Sequence, residues 1–263
     1  MLQYLEQFNP IRLPQLKERA NLMRRTDNKY VLTKQHLKLF LQNQTACFDI
    51  LCIDGLKQFQ YSSAYLDSPK FDTFLDHNKG RRRRFKIRFR HYHETKLYFF
   101  EVKIKSFRNE TVKYRTATNY QTYQQKTLPA NLVNFANKKI KKHYGFILDY
   151  VLVPSVRVDY QRITLVAKER AERITIDNHI QFFSKNQKRC LSADFFVVEV
   201  KSTHGRSQVD RWLQRNGHRP VKRCSKYCMG LNLLKFPQKN TRFKPVLRRN
   251  FKKEFLLSPT VTV

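Results

Sequence analysis

FFEVKIK, residues 99–105, sets Glu101, Lys103 and Lys105 in alternation with Phe100, Val102 and Ile104. Successive side chains of a β-strand point to opposite faces, so this stretch reads as a strand with one apolar and one charged face. Its neighbours follow the same rule. In RRRRFKIRFRHY, residues 81–92, Lys86, Arg88 and Arg90 oppose Ile87 and Phe89. In TVKYRT, residues 111–116, Lys113 and Arg115 oppose Val112 and Tyr114. The intervening HETK and RNE are short and polar, as hairpin connections are.

The pattern recurs along the chain. FFVVEVKS, residues 195–202, repeats the Glu-x-Lys pair at Glu199 and Lys201, opposite Val198 and Val200. In ERITIDNHIQFF, residues 172–183, Arg173, Thr175 and Asp177 oppose Ile174 and Ile176, and in RRTDNKYVL, residues 24–32, Arg25, Asp27 and Lys29 line up. With YSSAYLD (61–67) and PSVRVDYQRITLVA (154–167) this makes about eight strands. Helices are expected after Pro14, over 34–44 with Thr33 as cap, beyond the Ser68-Pro69 break, across most of 119–143 with an interruption at Pro129, and over 207–217, and SKYCMGLNLLKF, residues 225–236, reads as the last ordered element. No βαβ alternation appears. The fold class is therefore α+β: a mostly antiparallel sheet whose eight strands are a natural number for a barrel, with flanking helices.

Charge narrows the function. The 263 residues hold 53 Lys+Arg against 20 Asp+Glu, a net +33, while 41% hydrophobic residues suffice for a core. Such an excess calls for a polyanion: nucleic acid, an anionic membrane surface or free phosphates. A solvated sheet face normally mixes both signs, but here cations dominate with sparse carboxylates. Lining a closed barrel, they would be prohibitive unless a polyanion or solvent filled it.

Other classes are set aside. No apolar run is long enough to span a membrane, and the N-terminal residues lack a secretory pattern, so a cytoplasmic protein is expected. The five cysteines form no C-x-x-C pair, and H-E-x-x-H, Walker A and G-x-G-x-x-G are absent. Cys224 and Cys228 read as packing residues, and Trp212 as the anchor of its helix. Arg81–Arg84 is expected to draw polyanions toward the barrel mouth, with nucleic-acid contact or a localisation signal as alternatives.

RRTDNKYVL, SSAYLDSPKFDTFLDH, KIRFRHY, FFEVKIK, VKYRT, YQR, RITID, VVEVKS and SKY, in this order over residues 8–235, resemble the VTC domain, the catalytic domain of polyphosphate polymerases within the triphosphate tunnel metalloenzymes. The resemblance implies an eight-stranded antiparallel barrel around a basic tunnel, a domain placed at residues 1–236; beyond it 237–263, basic and poor in periodicity, reads as a loosely held tail. It implies a phosphotransferase that moves the γ-phosphoryl group of ATP, or another nucleoside triphosphate, to a polyphosphate chain. Phosphates would be gripped by Lys29, the Arg88/Arg90 pair, Lys103 and Lys226, with Lys113, Arg162 and Arg173 as further catalytic residues. Glu199 would be the ligand of Mn²⁺ or Mg²⁺. Nucleic acid is a less expected partner, and no protein partner is implied.

Two positions depart from the family pattern. Triphosphatase members begin with E-x-E-x-K, where this chain has Arg25, Asp27 and Lys29, which weakens a second metal and disfavours hydrolysis. Arg162 shares its face with Val156, Val158 and Tyr160, which reads as a tunnel position only if a bulge shifts the register. A metal-dependent triphosphatase of the same fold and a non-catalytic polyphosphate-binding module are the alternative functions.

Overall fold

Alternating segments rich in β-branched and aromatic residues pair into one sheet. The computed structural model describes residues 2–19, 26–107, 110–124, 128–185, 187–203, 205–234 and 242–251. The strands are β1 (Pro10–Ile11), β2 (Thr26–Thr33), β3 (Phe48–Leu51), β4 (Phe59–Asp67), β5 (Arg84–Tyr92), β6 (Leu97–Lys105), β7 (Thr111–Thr118), β8 (Val153–Ala167), β9 (Arg173–Ser184), β10 (Gln187–Cys190) and β11 (Phe195–Ser202). The helices are α1 (Leu2–Leu5), α2 (Leu13–Arg19), α3 (Lys34–Gln44), α4 (Asp72–Lys79), α5 (Tyr120–Gln124), α6 (Ala130–Tyr144), α7 (Gln208–Arg215), α8 (Lys226–Leu233) and α9 (Lys244–Asn250).

Eight strands run in the order β2-β11-β9-β8-β4-β5-β6-β7, each antiparallel to the next. They are the eight that alternation picks out. The short β1, β3 and β10 extend the sheet from β8 and β9 and are too brief for a period to register. Among the described residues β2 and β7 are not paired, so the expected barrel is a curled sheet left open along one seam. Both edges carry inward cations, Lys29 on β2 with Lys113 and Arg115 on β7, and pairing would set like charges side by side.

Helices cover the outer face. Thr33 caps α3, its Oγ1 accepting from the His36 N–H, and Leu37, Phe40 and Leu41 are buried against Tyr30, Leu32, Ile176 and Val198. On the other flank α6 lays Leu132, Ala136 and Ile140 over Ile87, Phe100, Val102 and Ile104. Each such side chain contributes about 1.5–3 kcal/mol on burial. This holds the apolar faces outward and turns the charged faces in.

The interior is apolar in one part. There α8 buries Tyr227, Cys228, Met229 and Leu231 against Val156, Val158 and Phe182. A Cβ at Gly230 would lie 2.6 Å from Phe182 Cδ1 and 3.1 Å from Val156 Cγ2, so only glycine allows this approach. The tail differs from expectation: α9 belongs to the same core, with Phe243, Leu247 and Phe251 buried. That single stripe, spaced by four, is too narrow to stand out among flanking cations. No helix among the described residues is long and apolar enough to cross a membrane.

Candidate functional site

The remaining interior is a cavity of about 490 Å³. Lys29, Arg88, Arg90, Lys103, Lys113, Arg162, Arg173, Glu199 and Lys226, drawn from β2, β5, β6, β7, β8, β9, β11 and α8, all lie on its wall. Strand register explains the convergence. Lys86, Lys103 and Lys113 stand in one row across β5, β6 and β7, and Arg88, Glu101 and Arg115 in the next. On the opposite side Thr164, Thr175, Glu199 and Lys29 form a row across β8, β9, β11 and β2.

Three carboxylates are each bracketed by two cations. Glu101 Oε2 accepts from Arg88 Nε and Nη2 at 2.8 and 2.7 Å, and Lys113 pairs with the other oxygen. Glu199 accepts from Lys29 at 2.8 Å and from Lys201 at 2.6 Å. Asp177 takes the Arg162 fork at 2.6 and 2.8 Å together with Lys226. The two Glu-x-Lys strands therefore differ: Glu199 binds the lysine two residues on, whereas Glu101 turns to neighbouring strands and leaves Lys103 aside. The expectation of an unpaired cationic pore is corrected to this extent.

The surplus remains large. Among the described residues neither Lys86 nor Lys103 has a carboxylate within ion-pair distance. Arg90, 5% exposed, donates to Ser63 Oγ at 3.2 Å, lies over the rings of Tyr61, Tyr92 and Tyr160, and leaves Nε without a partner. Burial, reinforced by Arg88 and Lys29, pushes Lys103 well below the ordinary lysine value, and Lys86 is lowered in the same way by burial, Lys29 and Arg88. Burial lowers Lys201 to about 8, with Glu199 opposing the shift. The carboxylates move the other way. Burial disfavours their charge, but Arg88, Arg90 and Lys113 outweigh it at Glu101, Arg162 and Lys226 at Asp177, and Lys201, Lys29 and Lys103 at Glu199; all three titrate below the ordinary range.

A family profile of the VTC domain matches residues 24–235. This chain belongs to the VTC domain family. Its fold is that of the triphosphate tunnel proteins. A candidate adenylate cyclase of Bacillus halodurans superposes with a TM-score of 0.52 at 12% identity, over 77% of this chain and 95% of that one. A candidate adenylyl cyclase from Hippeastrum, reported to reveal a dominant triphosphatase activity, gives 0.48 at 12% identity over 80% and 96%. No curated protein sequence matches significantly.

Within this VTC domain Arg162 reaches the cavity without the register shift expected of it. The bulge between β8 and β9 places its extra residue on β9 at His179, whose φ is +47°, so the parity of β8 is unbroken from Val156 to Arg162. Val156, Val158 and Tyr160 do face inward with Arg162, because α8 supplies an apolar interior beside the cationic one. Motif matching passed over Lys86, Arg115, Lys201, Glu101 and Asp177. Strand parity alone finds them, since each shares a face with a residue the motifs name. Arg25 lies outside the described residues.

The VTC domain offers a divalent ion little by itself. No cluster of three or more His, Cys, Asp or Glu side chains exists among the described residues. Glu199, with 14% of its side chain exposed against 1% for Glu101 and Asp177, is the accessible member of the three bracketed carboxylates. The donor set fits an ion held mainly by phosphate oxygens with Glu199 as one protein ligand, the arrangement that suits Mg²⁺.

Proposed function

We propose that this VTC domain transfers the γ-phosphoryl group of ATP, or another nucleoside triphosphate, to the end of a polyphosphate chain held in the cavity. The observation that carries the reading is composition at one place: twelve lysines and arginines against three glutamates on a single cavity wall. Phosphoryl transfer needs in-line positioning and neutralisation of charge on phosphate oxygens more than it needs a protein nucleophile. Arg88 and Arg90 present guanidinium forks two residues apart on β5, about 6–7 Å along the strand, far enough apart to engage different phosphoryl groups of one chain. Lys103 and Lys86, short of counter-charge, gain most from an arriving phosphate. Lys29, Lys113, Arg162, Arg173 and Lys226 complete the clamp. Glu199 would hold a Mn²⁺ or Mg²⁺ shared with the phosphates, an ion that would neutralise developing charge when bound.

The test is ATP with Mg²⁺ or Mn²⁺ and products resolved by chain length. A polyphosphate ladder supports transfer. Orthophosphate alone would make the domain a triphosphatase, and tripolyphosphate binding without turnover would make it a polyanion-binding module. Glu199→Gln keeps the shape and removes the charge. It should lower turnover by about 10²-fold or more while tripolyphosphate still binds; full activity at saturating metal would remove Glu199 from the reaction.

A further inference from the structure

Eight large apolar side chains are exposed among the described residues, and four of them belong to two loops: Phe107 after β6, and Phe146, Ile147 and Val151 after α6. Their exposures of 44, 39, 57 and 71% are high for residues that could have been buried. Tyr144 joins the loops. Its ring lies 6.0 Å from Phe107 and stacks at 5.9 Å on Phe146. Its hydroxyl accepts from the Arg84 N–H at 3.0 Å and lies 2.9 and 2.6 Å from the carbonyls of Arg84 and Lys105, which pins the assembly to the sheet.

Cations frame the apolar group. The guanidinium groups of Arg82 and Arg83 sit over the Phe107 ring at 5.8 and 5.5 Å, and Arg82 Nη2 donates to the Phe107 carbonyl at 2.8 Å. Arg82 and Arg83 are exposed, as are Lys141 and Lys142 on the last turn of α6. Glu110 and Asp149 are the exposed carboxylates in these segments, and Arg81 is engaged with Asp76. None of these side chains lines the cavity, and α6 packs on the outward faces of β5 and β6.

We infer that this patch docks the protein on an anionic lipid bilayer. Phe107, Phe146, Ile147 and Val151 enter the boundary between headgroups and acyl chains, and Arg82, Arg83, Lys141 and Lys142 meet lipid phosphates. An apolar tip ringed by basic side chains matches a surface that is anionic outside and hydrocarbon beneath. Nucleic acid has the charge but offers aliphatic Ile147 and Val151 nothing to stack on.

The test is co-sedimentation of the full chain with vesicles of phosphatidylcholine alone or mixed with phosphatidylserine. The chain should follow the mixed vesicles and not the neutral ones. Phe146→Ser/Ile147→Ser leaves net charge unchanged and should weaken the partition about ten-fold. Arg82→Ser/Arg83→Ser should weaken it to a similar degree. Both should keep the parent's tripolyphosphate affinity, which also shows that they fold. Val151→Ser, at the most exposed position, puts no fold at risk and must shift the partition in the same direction. Equal sedimentation of parent and serine variants would reduce the effect to bulk charge and overturn the proposal. So would a DNA oligomer whose binding falls in these same variants.

Discussion

On β8, β9 and β11 the inward side chains change character part-way along. Val156, Val158, Phe182 and Val197 pack with α8, whereas Arg162, Thr175 and Glu199 face the cavity. The same strands thus carry two interiors of opposite energetics. One gains by exclusion of water, each buried side chain adding to stability. The other gathers more cations than its three carboxylates can pair in a partly desolvated space, and its remaining repulsion would fall on binding an anion. The apolar half lends the cationic half its rigidity: Lys226 opens α8 and reaches Asp177, while Leu231 in the same helix is fully buried.

The largest effect should come from the apolar half. Leu231→Ala should cost about 2–5 kcal/mol in urea unfolding, while tripolyphosphate affinity, measured by calorimetry on folded protein, stays within about two-fold. A matching loss of affinity would deny that the halves are separable. Arg88→Lys should do the reverse. Without the fork, affinity should drop about ten- to a hundred-fold, the equivalent of roughly 1.5–3 kcal/mol. An unchanged Kd would mean that Arg88 serves Glu101 alone.

Gly230→Ala sharpens the comparison by joining the halves. The new methyl meets the Phe182 ring and should cost about 1–3 kcal/mol. Because α8 must shift to relieve it, Lys226 shifts too, so affinity should weaken along with stability. Separate outcomes would show that the helix yields at its far end only.

The smallest effect is a pH slope. Lys201 titrates near 8 in the folded chain against 10.5 for an ordinary lysine, and Lys113, partly exposed at the seam, is likewise lowered to about 8 by burial. From pH 8 to 9 the unfolded chain holds more protons on these residues than the folded one, so ligand-free stability should rise with pH. Above 9 the thiols of Cys224 and Cys228, held protonated chiefly by burial, oppose the trend. Saturating tripolyphosphate should flatten the slope by restoring the ammonium charge. A melting temperature that falls between pH 8 and 9 without ligand would refute the assignment.

Much of this was legible in the residues. The alternation in RFKIRFR and FFEVKIK fixes which side chains face inward, because a strand has only two faces. The nine residues chosen from motifs all reach one cavity. What could not be read was partnership. Glu101 and Lys103 are neighbours in sequence, yet Glu101 pairs with Arg88 and Lys113, a matter of register between strands. The seam between β2 and β7 depends on a long-range closure that no local pattern encodes. Residues 243–251 looked like a loose basic tail, since three apolar side chains on a short helix carry too weak a period to separate from their setting.

The bracketed carboxylates give the lumen the character of an ion-exchange resin. Lys29, Arg88, Arg162 and Lys226 are already engaged with fixed anions of the chain itself. A phosphate that displaces Glu199, Glu101 or Asp177 swaps one anion for another, and gains only the difference between the two. On the proposed reading, such a bed would hold a long polyanion through many partial exchanges, none of which need be complete. A polyphosphate resting on it would then advance by one phosphoryl unit at little net cost, as a solute migrates down a column without ever being free of it.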